Sequence, residues 1–402
     1  MHVIVGGGVV GLSVAWRLAR SGRPVTVVDP APASGATHAA AGMLAPVSEV
    51  TFTEEPLLRL GAASLARWPA FAAELTADAG LAAGALDYRA DGTLDVAFGA
   101  DDLAVLEETA GFMEKLGLRV ERLSGRECRR LEPMLAPSVR GGLLAPDDAW
   151  VDPRRVASAL LAALERLGVP IVRARVRELL RGDEGVQGVR LSPGDTGDGA
   201  HREAGGGPYR EADGGPYREE HGGPYQKEQG GPFQEELCAE RVVLAAGAWS
   251  GSFAPVPVRP VKGQILRLRS PRPLLGRCVR GTVHGLPVYL VPRGDGELVV
   301  GATQEELGFD TRVTAGGVYE LLRDARELVP GVTELELAEV VAGLRPCTPD
   351  NLPLIGPGAE PRLLVATGHH RGGVLLAPLT AAVLMGEERE LSSLCSPARF
   401  TP

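Results

Sequence analysis

Apolar residues open the chain and then change their spacing, which predicts a strand, a helix and a second strand in that order. The run 2–5 is short and apolar, as in a buried parallel strand, and three glycines follow it. Residues 9–20 repeat apolar positions at helical spacing, and Gly22 suits the left-handed residue that closes a helix. Residues 24–29 are expected to form the second strand. This β-α-β unit takes about 29 residues, close to the ~30 that such a unit needs.

Further hydrophobic patterns divide the rest of the chain into helices and strands. Asp152 and Pro153 supply a helix cap and a first-turn proline, and Gly168 ends the helix that they begin. The remaining patterns predict helices at 56–75, 103–116 and 314–328, an apolar helix after residue 373, strands at 92–97, 170–176, 186–191, 240–247 and 363–366, and strand-rich sequence over 258–302.

Residues 205–233 break these patterns with a repeat of eight residues. Gly-Gly-Pro-Tyr occurs three times and Gly-Gly-Pro-Phe once, at positions 206, 214, 222 and 230. The segment contains no Val, Leu or Ile and cannot bury a core, and the repeat is far shorter than the ~20 residues of a solenoid unit. We expect a mobile surface loop over 200–236. A hairpin loop lengthened by tandem duplication is favoured, and a binding role for its tyrosines stays open.

Composition excludes several classes of protein. The chain has 402 residues, about two to three times the ~150 of a typical domain, so two domains are expected. Its 42 basic and 51 acidic residues leave a net charge of −9 without a Lys/Arg-rich run, so nucleic-acid binding is not expected. Hydrophobic residues make up 44 %, but no run approaches the ~20 apolar residues of a membrane helix. A soluble protein is expected.

The cysteines and the first residues bear on the compartment. Five cysteines are odd in number and far apart, and neither a Cys-x-x-Cys pair nor a His/Cys cluster at metal-ligand spacing is present. We therefore expect reduced thiols, no metal site and a cytoplasmic location. The first residues run directly into apolar sequence and leave no room for a charged segment before a cleavable apolar region, so export is not expected.

Glycine is abundant, at 53 residues, and one group of glycines indicates a nucleotide site. Gly6-x-Gly8-x-x-Gly11 lies between the first predicted strand and helix, and Asp29 ends the second strand. Gly6 allows a tight turn, Gly8 lets the backbone approach a pyrophosphate, and Gly11 lets the helix pack on the sheet. The start of the helix presents N–H groups to the anion, and Asp29 is expected to accept a hydrogen bond from a ribose hydroxyl. The motif in this context predicts a dinucleotide-binding domain.

Residues 37–44, Thr-His-Ala-Ala-Ala-Gly-Met-Leu, are small and uncharged apart from one histidine, which suits a loop pressed against a flat ring. This segment resembles the flavin loop of the glycine oxidase family, within the D-amino acid oxidase and sarcosine oxidase superfamily of FAD proteins. Further segments match the family in order over nearly the whole chain: LAAGAWS at 244–250, PVKGQ at 260–264, VYLVPR at 288–293, AGLRP at 342–346 and GHHRGGVLLAP at 368–378. The repeat segment is not part of the family pattern.

The resemblance implies a fold of the α/β class, in which a Rossmann-like FAD-binding domain carries a mainly antiparallel α+β substrate domain, as in D-amino acid oxidase. The FAD-binding domain would be discontinuous and comprise 1–84, 151–255 and 340–402. The substrate domain would comprise 85–150 and 256–339. The substrate is expected to enter between the two domains.

The resemblance also implies which residues hold noncovalent FAD. Val176 is expected to contact the adenine side through its backbone, and residues 369–375 are expected to wrap the isoalloxazine ring. A helix opening at Gly372 and Gly373 would direct its N-terminal dipole at reduced flavin. Cys347 does not match the register of the covalent flavin cysteine of sarcosine oxidases. The expected cofactor-binding residues are Gly6, Gly8, Val9, Val10, Gly11, Asp29, Pro30, Ala36, Thr37, Ala41, Gly42, Met43, Val176, Gly247, His369, His370, Arg371, Gly372, Gly373, Val374 and Leu375.

Three residues are expected to bind the substrate. Arg345 and Arg371 correspond to the two substrate-site arginines of the family, and a guanidinium offers a bidentate fork to the carboxylate of an amino acid. Tyr289 can add a phenolic hydrogen bond to the same carboxylate. Structural roles stay open for all three. No general acid or base is expected, because oxidation of an amine by flavin needs a neutral amine and a hydride path to N5, and the histidines at 38, 369 and 370 are assigned to flavin contact.

The resemblance implies oxidative deamination of glycine to glyoxylate, ammonia and hydrogen peroxide, with sarcosine or D-alanine as further small substrates and oxygen as the acceptor. It also implies a homotetramer and a role in thiamine synthesis, in which the glycine imine feeds a thiazole synthase. Two alternatives stay open. One is a D-amino acid dehydrogenase or sarcosine-type oxidase of the same superfamily. The other is a flavin- or NAD-binding module that docks through the Gly-Gly-Pro-Tyr repeats, and deletion of 205–233 would separate it from an oxidase.

Overall fold

A computed structural model describes residues 1–192 and 235–400 of the protein, so the repeat segment, expected to be a mobile loop, lies outside the described residues. The strands in chain order are β1 His2–Val5, β2 Val25–Val28, β3 Met43–Leu44, β4 Thr93–Ala97, β5 Glu121–Ser124, β6 Gly141–Ala145, β7 Ala149–Trp150, β8 Ile171–Val172, β9 Arg175–Gly182, β10 Gly185–Ser192, β11 Glu236–Cys238, β12 Arg241–Leu244, β13 Arg259–Arg269, β14 Cys278–Val283, β15 Leu286–Pro292, β16 Glu297–Gly301, β17 Glu336–Cys347, β18 Leu354–Pro357 and β19 Leu363–Thr367.

The helices alternate with these strands in the first half of the chain and are fewer in the second. They are α1 Val9–Arg20, α2 Ala36–Ala39, α3 Glu55–Leu65, α4 Trp68–Asp78, α5 Ala100–Lys115, α6 Gly125–Leu131, α7 Pro153–Arg166, α8 Ala315–Leu328 and α9 Ala377–Met385, with 3₁₀ turns at Gly247–Ser252, Pro330–Glu334, His370–Gly372, Leu391–Ser393 and Pro397–Phe400. Among the described helices, none combines the length and the apolar character that a membrane span requires.

The start of the chain lies in the middle of a six-stranded sheet with the order β18-β19-β12-β1-β2-β8. β1 pairs parallel with β2 and β12, which confirms the predicted β-α-β unit. Ile4 packs into a core that includes α1, α7 and α9, whereas Val3 and Val5 face a second core on the opposite side. Both faces of the sheet are therefore covered, which explains why β1 is apolar throughout instead of alternating.

A smaller antiparallel sheet, β11-β10-β9, packs on the second face of the large sheet. Val176, Leu179 and Val189 of this small sheet share the core of Val3 and Val5. β10 precedes and β11 follows residues 193–234, which lie outside the described residues. The two strands pair with each other antiparallel. The expected loop boundary at 236 is wrong, because Glu236 already belongs to β11, opposite Arg190.

Strands from 93–145 and 259–347 together build an eight-stranded sheet with the order β17-β13-β16-β15-β14-β4-β6-β5. Its pairs are antiparallel except for β4 with β14. One face packs on α8 through Leu321 and Leu328. The other face packs through Ile265 and Val291 against Ala41, in the loop that follows α2. This sheet therefore reaches the loop predicted to line a flavin.

Three sequence predictions are wrong in detail. The helix expected over 56–75 is two helices, α3 and α4, because Pro69 lacks an N–H and its ring clashes with the carbonyl four residues earlier. The strand expected over 170–176 is also divided, since β8 pairs with β2 while β9 joins the small sheet. The last apolar helix begins at Ala377, and Gly372 and Gly373 precede it in a separate turn.

Candidate functional site

The glycine motif forms a turn that only glycine can make. Gly6 has φ of +111°, and a Cβ there would collide with the carbonyl of Ala245, directly after the neighbouring strand β12. A Cβ at Gly11 would collide with the carbonyl of Gly6, so α1 packs directly on the turn. Gly8 has the most space of the three, since the nearest atom to its added Cβ is Thr37 Oγ1 at 3.4 Å. The open side of Gly8 is therefore the side from which an anion can reach the helix terminus.

Polar side chains complete this turn. The Asp29 carboxylate accepts hydrogen bonds from Gly7 N at 2.6 Å and from Ala31 N at 2.8 Å. The buried Thr37 Oγ1 accepts a hydrogen bond from Val9 N at 2.9 Å. Asp29 thus shapes the turn, and it lies directly after β2, where a ribose contact is predicted. Pro30 beside it is exposed. The ribose contact stays a prediction.

The loop after α2 lies against the eight-stranded sheet. Gly42 has φ of +82°, and its missing side chain lets the loop approach the carbonyl of Val151. Gly343 does the same on the sheet side, since a Cβ there would lie 2.7 Å from Ala39 Cβ. Arg293, which is 1 % exposed, donates from Nη2 to Ala41 O at 2.5 Å. These contacts hold the segment 36–43, including Ala36 and Met43, against the eight-stranded sheet.

β17 is the element where the separate segments meet. It contacts α2, the 3₁₀ turn Gly247–Ser252 and the turn His370–Gly372. Its last residue, Cys347, pairs with His369 in an antiparallel bridge. The structure therefore brings the predicted flavin loop, Gly247 and the 369–375 segment to one strand, the strand that carries Arg345.

Two more predicted cofactor residues, Val176 and Val10, lie in β9 and α1. Val176 lies in β9 and shares a core with Val28, the residue before Asp29. Val10 is half-buried in the first turn of α1. Their predicted contacts with the adenosine half of the cofactor stay predictions.

Side chains of α3 and α4 hold the turn that precedes α9. The carbonyl of Leu375 accepts hydrogen bonds from Ser64 Oγ at 2.6 Å and Trp68 Nε1 at 2.9 Å. Leu376 N donates to Gly372 O at 2.8 Å, so residues 372–376 form a helical turn before α9 begins. The helix expected to begin at Gly372 and Gly373 begins at Ala377 instead, so its N-terminal dipole lies beyond Val374 and Leu375.

Burial makes both histidines of this turn weaker bases than a free imidazole, and their lack of a proton-transfer role stays a prediction. Burial lowers the pKa of His369 to about 3, and its Nε2 lies 2.8 Å from Thr380 Oγ1. Burial, aided by the charges of Arg371 and Arg345, lowers the pKa of His370 to about 4. His370 Nδ1 faces Arg371 Nη1 at 3.3 Å and accepts a hydrogen bond from it. Neither imidazole carries a charge near neutral pH.

Arg345 and Tyr289 lie side by side on the sheet face that meets the α2 loop. Arg345 is half-buried and donates from Nη1 to the carbonyls of Thr303 at 3.1 Å and Lys262 at 3.3 Å. Among the described residues it pairs with no carboxylate. Burial raises the pKa of Tyr289 to about 12, against the opposing effect of the Arg345 charge, so the phenol keeps its proton. The pair offers a cation and a neutral hydroxyl to one ligand.

Arg371 differs from Arg345 because two acidic residues already compensate it. Its Nη2 donates to Glu54 Oε2 at 2.5 Å and to the carbonyl of Glu49 at 3.2 Å, and its Nε lies 3.8 Å from Glu49 Oε2. Although burial opposes it, hydrogen bonds from Arg371 and Asn351 hold the pKa of Glu54 below its usual range. Sequence reasoning did not single out these two glutamates, since no motif marks them before the fold brings them to Arg371.

The glycine turn fits a dinucleotide, because Gly8 leaves space beside the start of α1 and the helix terminus supplies anion-binding N–H groups. No cluster of His, Cys, Asp and Glu suitable for a metal ion occurs in the part of the chain that the structure describes. The arrangement presents a cofactor cradle beside Arg345, which pairs with no carboxylate in the described ranges 1–192 and 235–400. Such a site can hold a carboxylate next to the ring of a bound cofactor.

Comparison with known proteins gives consistent matches. The family model DAO, FAD dependent oxidoreductase, matches residues 2–386. A bifunctional protein ThiO/ThiG from Nostoc sp. strain PCC 7120 is 33 % identical over 383 residues and 95 % of this chain, but this chain spans only 51 % of that relative, about half its length. A glycine oxidase from Geobacillus kaustophilus strain HTA426 is 32 % identical over 99 % of this chain and 96 % of its own.

A solved structure agrees with these matches. The crystal structure of glycine oxidase from Geobacillus kaustophilus superposes with a TM-score of 0.82 at 30 % identity, covering 100 % of this chain and 99 % of that one. The predicted fold class is confirmed: a Rossmann-like FAD-binding part with a mainly antiparallel α+β part, as in D-amino acid oxidase.

Proposed function

Because the chain belongs to the DAO family of FAD dependent oxidoreductases, we propose that it oxidises glycine and other small amino acids, with oxygen as the electron acceptor. It is an FAD-dependent enzyme of the glycine oxidase type. Glycine, oxygen and water give glyoxylate, ammonia and hydrogen peroxide in equal numbers. Sarcosine and D-alanine are the further substrates that we expect.

The observation that carries this proposal is the environment of Arg345. The half-buried guanidinium donates to two backbone carbonyls and pairs with no carboxylate among the described residues, so its charge is available for an anion. Tyr289, on the same face, keeps its proton and can donate to the same anion. Every amino acid brings a carboxylate, and the planar fork of arginine matches that group.

The chemistry assigned to the protein side chains is positioning. When bound, FAD supplies the two-electron acceptor for the carbon-nitrogen bond. Arg345 and Tyr289 hold the substrate carboxylate, which leaves the α-carbon and the amine to point away from the sheet face. His369 and His370 stay neutral and transfer no proton at neutral pH. Orientation of the amine, which must be in its neutral form to be oxidised, is therefore the main contribution proposed for this site.

For the cofactor we propose the residues expected from the sequence. The glycine turn would hold the pyrophosphate, and Val9, Val10, Asp29 and Pro30 would contact the adenosine half, with Asp29 at the ribose. Residues 36–43 and 369–375 would lie along the flavin, bound without a covalent link. Cys347 supports the last point, because it is 1 % exposed and its Sγ faces the Arg345 carbonyl.

A wider role rests on relatives. One relative is named a bifunctional protein ThiO/ThiG, and this chain matches about half of it. We infer that the glycine imine formed here serves thiazole synthesis in thiamine production. A cytoplasmic location and a homotetramer are parts of the same proposal.

Substrate preference tests the proposed reaction. Purified enzyme is given glycine, sarcosine, D-alanine and a bulky D-amino acid, and hydrogen peroxide is measured. We expect stoichiometric peroxide and the highest kcat/KM with glycine or another small substrate. An enzyme that passes electrons only to a quinone, without peroxide, or that prefers the bulky D-amino acid, would be a dehydrogenase or a D-amino acid enzyme instead.

A further inference from the structure

The segment Pro260–Gln264 is the one family motif to which no role has been given so far. It lies in β13, directly beside β17, with Val261 opposite Arg345 and Gly263 opposite Gly343. Successive residues of a strand point to opposite faces of the sheet. Gly263 therefore faces the site, while Lys262 and Gln264 point to the back of the sheet.

On the front face, Gly263 provides the space that Arg345 occupies. A Cβ at Gly263 would lie 2.5 Å from Arg345 Nη2 and 2.6 Å from Cζ, so any side chain there would displace the guanidinium from its present position. The guanidinium thus rests on the bare backbone of β13, within reach of the Lys262 carbonyl at 3.3 Å. Gly301 serves Tyr289 in the same way, since its Cβ would lie 2.5 Å from the Tyr289 oxygen. Two glycines set the positions of the two predicted carboxylate-binding groups.

On the back face, one ion pair fixes the second carbonyl that Arg345 uses. The fully buried Lys262 places Nζ 3.1 Å from Glu305 Oε2 and 3.7 Å from Asp310 Oδ2. Glu305 Oε1 accepts hydrogen bonds from Thr303 Oγ1 at 2.6 Å and Gln264 Nε2 at 2.7 Å. The backbones of Lys262 and Glu305 also exchange two hydrogen bonds, at 2.9 and 3.0 Å.

Glu305 stays ionised in this arrangement. Burial raises its pKa, but hydrogen bonds from Thr303, Gln264 and Lys262 outweigh burial and bring the pKa below its usual range. The carboxylate therefore ties the segment 303–305, which includes the Thr303 carbonyl, to β13. That carbonyl accepts from Arg345 Nη1 at 3.1 Å.

We propose that Lys262 and Glu305 are positioning residues of the substrate site: their ion pair behind the sheet holds the two carbonyls that orient Arg345 toward a carboxylate. This inference rests on the proposed function, because it requires that Arg345 bind the carboxylate. Neither residue touches the substrate. They act by fixing the position of the Arg345 guanidinium. A misplacement of about 1 Å would weaken its contact with the carboxylate.

The test uses acetate, a carboxylate without an amine, as the probe. Its dissociation constant is measured on the FAD-loaded enzyme from the change in flavin absorbance, alongside KM and kcat for glycine. Lys262→Met and Glu305→Gln are expected to raise both the acetate dissociation constant and the glycine KM by roughly tenfold, the range of a charged hydrogen bond. Lys262→Arg should stay within about threefold of wild type, since it keeps the charge. Flavin content and circular dichroism report whether each variant folds.

Two further variants make the result decisive. Glu306 is the exposed neighbour of Glu305, so Glu306→Gln is the matched control and should leave acetate binding unchanged. Gly263→Ala should weaken acetate binding as strongly as Arg345→Ala, because it displaces the guanidinium without removing it. The inference is wrong if Arg345→Ala loses acetate while Lys262→Met and Glu305→Gln, both folded, keep it. If Arg345→Ala itself keeps acetate, the carboxylate clamp is wrong, and the inference falls with it.

Discussion

Arg345 and Arg371 are both predicted to bind the substrate, yet their surroundings differ. Arg371 is engaged by Glu54 and by the backbone of Glu49, whereas Arg345 donates to two carbonyls and pairs with no carboxylate in the described part of the chain. A guanidinium whose charge is already compensated gains less from a second anion than one that is not. We therefore assign the carboxylate to Arg345 and give Arg371 the task of joining the 45–54 segment to the turn His370–Gly372.

His369 provides a residue-scale prediction on pH. Its pKa in the folded protein is lowered to about 3 from an ordinary value of 6.5, mainly by burial. The unfolded chain therefore takes up a proton below pH 6.5 that the folded protein refuses, and this part of the stability is lost progressively as the pH falls from 6.5 toward 3. At pH 5 the loss from this one group is about 2 kcal/mol.

The measurement compares urea unfolding of wild type and His369→Gln at pH 7.5 and pH 5. Glutamine keeps an N–H donor for Thr380 but does not titrate. The variant should lose about 2 kcal/mol less than wild type between the two pH values. His370, whose pKa is also lowered, is present in both proteins and cancels. Equal losses in both proteins would show that His369 does not contribute in this way.

Residue-scale sequence reasoning located the glycines but not their neighbours. Gly6, Gly11 and Gly42 were predictable, because a positive φ or a close backbone approach requires glycine, and the glycine is visible in the sequence. Glu54 and Glu305 were not, because a carboxylate on a loop has no local pattern that names its partner. The ion pairs of Arg371 and Lys262 join residues far apart in the chain, and only the fold brings them together.

At the scale of elements, α7 shows how a short local signal determines a boundary. Asp152 accepts hydrogen bonds from Arg154 N at 2.8 Å and Arg155 N at 3.3 Å, and Pro153 takes the first helical position. Such a cap stabilises a helix by about 0.5–2 kcal/mol. The buried face of α7, with Val156, Leu160 and Leu164, then packs into the core beside α1.

We predict that Asp152→Ala lowers the free energy of unfolding by about 1 kcal/mol, while Asp152→Asn costs a few tenths, because asparagine also caps. Urea unfolding at pH 7 with the two variants in parallel checks this. If asparagine destabilised the protein as much as alanine, the charge of Asp152 rather than its cap would be the stabilising feature.

Elements with strong local signals were predicted, and those decided by tertiary partners were not. β1, α1, β2, α7 and α8 lie where the periodicity places them. The division of 170–176 depends on a change of sheet, which no residue in that stretch announces. The break at Pro69 had a visible cause, but the apolar positions on both sides of it continue at helical spacing and conceal the break.

At the scale of the whole molecule, the face of the eight-stranded sheet with Tyr289 and Arg345 meets the loop after α2, which leads back to the glycine turn. The six-stranded sheet draws on strands from 2–28, 171–172, 241–244 and 354–367, and the eight-stranded sheet on the segments between them. We propose the domains 1–84, 151–255 and 340–402 against 85–150 and 256–339, although residue 340 falls within β17. The family resemblance, rather than periodicity, supplied this large-scale arrangement.

The central claim is that Arg345 binds the carboxylate of an amino acid whose oxidation reduces the flavin. Anaerobic mixing of the FAD-loaded enzyme with increasing glycine, followed by loss of flavin absorbance, tests it most directly. Wild type and the exposed control Arg326→Ala should bleach at the same glycine concentrations. Arg345→Ala should keep its flavin but require roughly tenfold or more glycine for half of the maximal bleaching rate. An Arg345→Ala enzyme with the wild-type dependence on glycine, or a wild type that glycine does not bleach, would contradict the account.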